Sequence, residues 1–217
     1  MGNIKKAFCV NVCIVILEIM SVVWMMSGLN SGVFSASRLA VFRFFTVDSN
    51  ILMGIAALEA AVDERFVISG KKSEVSAGTY IFKLVGTVGV TLTMLVTVFF
   101  LAPKAIPTTG FFSMFYHSNF FFHLVSPVLS IIVFVFYEKS DRISFRHTFT
   151  GIVPMLCYAV YYIYEALTHI QDGAIVPGYD WYGFLFAGVK SAVIVIPLLI
   201  LITYGISAAL WRLNRQK

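Results

Sequence analysis

The sequence predicts an all-α membrane protein: one domain over residues 1–217, a bundle of six transmembrane helices with both termini cytoplasmic. Three observations predict it. Hydrophobic residues make up 59% of the chain and charged residues only 12%, whereas a soluble domain is about half apolar and about a quarter charged. Six apolar stretches each reach the roughly 20 residues that a helix needs to cross a bilayer. Twelve of the sixteen Lys and Arg fall on one side of the resulting bundle, Lys5, Lys6, Lys71, Lys72, Lys83 and Arg212 among them. The positive-inside rule makes that side cytoplasmic. It also explains the net charge of +5 without a nucleic-acid partner.

The first span, 7–28, follows Lys5 and Lys6. Its apolar run exceeds the ~7–15 residues of a signal peptide core, and the cleavage-like Ser35-Ala36-Ser37 lies well past its end. It is therefore expected to remain uncleaved. Glu18 falls near mid-membrane with Ser21 one turn on. A loop rich in Ser, Gly and Asn (29–40) leads to span two, 41–62. The charged loop 63–78 leads to span three, 79–102, and a loop with Pro103, Pro107 and Gly110 to span four, 116–137. Basic residues fill 138–148 before span five, 149–168. Residues 169–183, with Asp172, Gly173, Pro177, Gly178 and Asp180, precede span six, 184–211. Cys9, Cys13 and Cys157 lie in or beside spans, so no disulfide is expected.

Ionisable residues inside a membrane are costly and usually functional. Arg43, Asp48, His123, Glu165, His169 and Lys190 all fall near the outer face, from four spans. In span two, Arg43, Thr46 and Asn50 are spaced to share one helical face, with Asp48 turned away toward a neighbouring helix. In span four, Asn119, His123, Pro127 and Ser130 share a face. At ~1.5 Å per residue, Thr46 and His123 lie at nearly equal depth, roughly 8 and 10 Å below their helix ends. Such groups also simply bind helices together, at ~0.6 kcal/mol each on average.

The chemistry this set suits is acyl transfer to water. A Thr hydroxyl becomes a nucleophile when a base takes its proton, and neutral His is the usual base. Thr46 and His123 are the candidate catalytic residues. Arg43, Asn50 and Lys190 are candidates for oxyanion or substrate binding, with Asp48, Asn119 and Glu165 supporting and Glu165 orienting His123. His117, His123 and Glu165 lack metal-site spacing, so no metal or other cofactor is called for. The inner halves of the spans look almost wholly apolar apart from Glu18 and threonines, which counts against an ion-conducting alternative. A transporter, channel or lipid-binding protein using the same pocket is the second expectation.

Phe45-Thr46-Val47-Asp48-Ser49-Asn50 and His123-Leu124-Val125-Ser126-Pro127 resemble two motifs of bacterial six-span membrane proteins. Those are distant relatives of the androgen-induced and androgen-dependent TFPI-regulating proteins of animals, which hydrolyse fatty acid esters of hydroxy fatty acids. The resemblance covers essentially the whole chain in span number and motif order. It implies a bacterial plasma-membrane hydrolase of lipid esters, with Thr46 and His123 in the positions of the family's threonine and histidine and no protein partner. One departure is Trp181-Tyr182-Gly183-Phe184, where the family tends to carry proline in the place of Gly183.

Overall fold

The computed structural model describes residues 2–29, 36–176 and 178–215. Residues 30–35 of the first loop, with Ser35 of the cleavage-like triplet, and Pro177 and Lys217 lie outside the described residues. Six long helices form the bundle: α1 (Gly2–Met26), α2 (Phe45–Ile68), α3 (Ala77–Ala105), α4 (Ser118–Tyr137), α5 (Phe145–Thr168) and α6 (Ala192–Asn214). By length and composition, α1, α3, α4, α5 and α6 (counted with its lead-in from Gly188) can cross a membrane. The protein is thus a mostly helical chain with five candidate spans. α2 has 24 residues, long enough to span, but Asp63, Glu64 and Arg65 crowd its last turns.

α3 is the central helix, with 61% of its apolar window buried against 22% for α5 and α6. Small residues let its neighbours approach, as in membrane helix pairs generally. A Cβ at Gly86 would lie 3.1 Å from the Met53 Cα on α2, and one at Gly89 would lie 3.3 Å from the Ser49 Cβ. The Ser49 and Thr93 hydroxyls then bond across the same seam at 2.9 Å. At the start of α3, Ser76 caps the Thr79 N–H, while Asp63 accepts from the Ser76 N–H at 2.7 Å.

Three features depart from the expected spans. Phe44 is extended (φ −98°, ψ 125°) and separates a 3₁₀ turn, Arg38–Arg43, from α2. The break sinks the Phe44 ring into the core beside Tyr182. Arg43 therefore does not share a helix with Thr46 and Asn50. The last helix begins at Ala192 rather than 184, because residues 186–189 run extended as β3 (Phe186–Val189) and Gly188 takes φ 69°. Between α5 and β3, Ile170–Gln171 (β1) pairs antiparallel with Ala174–Ile175 (β2). Asp172 and Gly173 both have positive φ, as a two-residue hairpin turn requires.

Widened π turns occupy Thr97–Leu101, Phe121–Val125 and Val133–Tyr137. The first two lie just before a proline, Pro103 and Pro127. Proline lacks the N–H and crowds the carbonyl four residues back, and a wider turn relieves that clash. The second π turn contains His123.

Candidate functional site

Thr46 lies in the first turn of α2, 9% exposed. It lines a partly open, largely apolar cavity of about 60 Å³ between α2, α3, α5, α6 and the 182–185 segment. Tyr158, Tyr162 and Tyr182 share the lining with Thr93 and Thr97. Burial comes first among the influences on the Tyr182 hydroxyl and pushes it up to about 12, with Tyr158 and Thr46 close enough to oppose the shift. Tyr182 is therefore a neutral phenol beside the Thr46 side chain at physiological pH. Tyr158 is held by two bonds: its hydroxyl donates to the Arg43 carbonyl at 2.7 Å and accepts from Trp181 Nε1 at 2.9 Å.

The 180–185 segment is shaped by Asp180. Its carboxylate accepts from the Tyr162 hydroxyl, from the Phe184 N–H at 2.9 Å and from the Leu185 N–H at 3.0 Å. This clasp folds Tyr182 and Leu185 over the cavity, where both are buried. Gly183 has φ 67°, which a proline cannot adopt.

Asn50 ties the Thr46 turn to the His123 turn. Its Nδ2 donates to the Thr46 carbonyl at 2.7 Å and to the Phe122 carbonyl at 3.3 Å. Both amide protons are used, so Asn50 is not an oxyanion donor but a brace between α2 and α4. His123 is 1% exposed and does not line the cavity. Its Nδ1 lies 2.6 Å from the Met114 carbonyl oxygen. A carbonyl only accepts, so Nδ1 carries the proton and the lone pair of neutral His123 is on Nε2. The ring of Phe115 packs edge-on against the imidazole. Among the described residues no hydrogen bond joins Thr46 directly to His123.

The other expected residues stand apart. Glu165 does not orient His123, whose Nδ1 is held by Met114; it lies 3.9 Å from His169, which stacks on Tyr179. Arg43 packs its guanidinium over Phe44 and Trp181, at 5.0 and 5.5 Å from the ring centroids, outside the cavity lining. Lys190 is exposed, one residue before the Ser191 that precedes α6. It does not line the Thr46 cavity. Asp48 lines a separate shallow groove with Cys157 and Tyr161. Asn119 is buried at the top of α4.

A second polar group was not expected at all. Toward the other end of the bundle, Asn11 donates to Glu64 at 3.1 Å and to Glu138 at 2.7 Å, and Lys83 donates to the Asn11 carbonyl oxygen at 2.7 Å. Lys83 also pairs with Glu138 at 3.6 Å. All four are buried, so the helix halves expected to be inner are not wholly apolar. With every group ionised the quartet carries one net negative charge, a costly state away from water. Lys83 looked like one more interfacial basic residue. The available signal was the spacing of Asn11 and Glu18 on the buried face of α1.

No protein-family model, curated protein or solved structure matches the chain.

Proposed function

We propose that the chain is an intramembrane threonine hydrolase of fatty acyl esters, with Thr46 as nucleophile and His123 as general base. The observation that carries this is Thr46 in the wall of a largely apolar cavity, on a helical turn braced by Asn50 to the turn that holds His123. Its largely apolar lining matches the chemistry of an acyl chain and strengthens polar interactions beside it. The two motif resemblances support the same pair.

In this proposal Thr46 Oγ attacks the ester carbonyl while its proton passes to His123 Nε2, directly or through one water. The C–O bond to the alcohol then breaks, and His123 returns the proton to the leaving oxygen. Water repeats the sequence on the acyl-threonine and releases the fatty acid. The Tyr182 phenol replaces Arg43, Asn50 and Lys190 as the donor to the developing oxyanion. We further propose that α2 is a sixth span and that both termini face the cytoplasm of a bacterium. That topology puts Thr46 just below the outer surface.

The test is hydrolysis of a panel of long-chain acyl esters by purified protein. Wild type should release fatty acid, and Thr46→Ala and His123→Ala should each lose that activity at unchanged protein yield. Equal turnover in both variants would end the proposal.

The buried Asn11–Glu64–Lys83–Glu138 quartet favours a second reading, a proton-linked carrier. Proton-driven flux in liposomes that is lost in Lys83→Met, with Thr46→Ala still active in flux, would select it instead.

A further inference from the structure

Several buried polar atoms belong neither to the Thr46 cavity nor to the Lys83 quartet, and they meet where α1, α2 and α4 pack together. Both carboxylate oxygens of Glu18 lack a hydrogen-bond partner among the described residues, as do the Ser21, Ser126 and Ser130 hydroxyls and Asn50 Oδ1. Glu18 is 3% exposed and the other four residues are fully buried.

Three contacts bring them together. α1 and α2 approach so closely at this level that a Cβ on Gly54 would lie 3.2 Å from the Glu18 Cβ. The Ser126 hydroxyl lies near the Glu18 carboxyl, although the pair does not reach hydrogen-bond geometry. Asn50, one turn above Gly54, bonds to the carbonyl of Phe122, one turn above Ser126. Ser21 lies about one turn from Glu18 on the buried face of α1, and Ser130 one turn from Ser126. The Asn50 amide group is spent on two carbonyls, which leaves its Oδ1 pointing away from them.

Every one of these unsatisfied atoms is an oxygen. A buried carboxylate without a counter-charge costs far more than a buried hydroxyl, and among the described residues Glu18 forms no ion pair. Carboxylate, hydroxyl and amide oxygens are the ligands of hard cations. A single carboxylate balances one positive charge, whereas a divalent ion would leave the pocket positive. We propose that Glu18, Ser21, Asn50 and Ser126, with Ser130 one turn below, bind a small monovalent cation of the sodium type between α1, α2 and α4. This site stands whether or not the protein is a hydrolase.

Equilibrium binding of ²²Na⁺ to the detergent-purified full chain, in choline chloride at neutral pH, tests it. The expected result is saturable uptake of one ion per chain, displaced by unlabelled sodium and not by choline. Glu18→Gln should weaken binding at least tenfold, and Ser126→Ala several-fold. If Glu18→Gln does not fold, Ser126→Ala and Ser130→Ala measured separately decide the matter. A wild-type protein with no saturable sodium uptake, or variants that bind as wild type does, would overturn the proposal and leave Glu18 as a protonated side chain solvated by water.

Discussion

Three tyrosines, Tyr158, Tyr162 and Tyr182, line the cavity beside Thr46, and none of them is among the site residues expected from the sequence. Removing one oxyanion donor typically costs about 10²–10³ in turnover, so Tyr182→Phe should lower ester hydrolysis by that order while the protein remains folded. A Tyr182 hydroxyl pushed up to about 12 stays protonated through the neutral range. Its donor role should therefore leave the rate unchanged up to about pH 10 and be lost only as pH rises toward 12. A decline at neutral pH that Tyr182→Phe abolishes would count against that role. Glu165 and Lys190 give the opposite expectation: Glu165→Gln and Lys190→Ala should retain wild-type hydrolysis, since one pairs with His169 and the other is exposed outside the cavity. The nearly equal depth of Thr46 and His123 was legible from helical rise, and Asn50 joins the turns that carry them. Their detailed roles were not, because a brace and an oxyanion donor differ only in where two amide protons point.

At the scale of the helices, close approach at glycines and polar bonds occur along the same seams. Gly151 on α5 faces α6 so tightly that a Cβ would meet the Ser207 Oγ at 2.6 Å, and Ser207 donates to the Thr148 carbonyl at 2.7 Å. Gly151→Ala should lower the detergent thermal midpoint, at an overpacking cost of about 1–3 kcal/mol. Ser207→Ala combined with Gly151→Ala should recover part of it, because the clashing atom is gone. Gly183→Pro should disrupt the Asp180 clasp, since its φ of 67° is closed to proline, and should lower ester turnover as Tyr182 moves. Helix positions were readable from hydropathy, which reports length and polarity. The breaks at Phe44 and Gly188 were not, because each follows from how one segment packs on others. The Asp172–Gly173 turn is different: its two-residue Asp-Gly hairpin signal lies in the sequence itself.

The molecule as a whole joins an apolar cavity near one end to buried charge toward the other, along a bundle whose central helix is α3. The basic asymmetry of the loops was legible without coordinates. Counting Lys83 among those loops was not sound, because charge counting does not see that a lysine near a span end can turn inward to a glutamate. With the proposed orientation, single-cysteine variants at Lys190 and Lys71, in a background lacking Cys9, Cys13 and Cys157, should react with a membrane-impermeant maleimide from opposite sides of intact cells. Labelling of both from one side would remove the six-span topology. The most direct test of the central claim is to map the residue modified by a fluorophosphonate lipid probe, by mass spectrometry of the purified wild-type chain. The account predicts an adduct on Thr46 that disappears in His123→Ala. An adduct on any other residue, or equal labelling of Thr46 without His123, would contradict it.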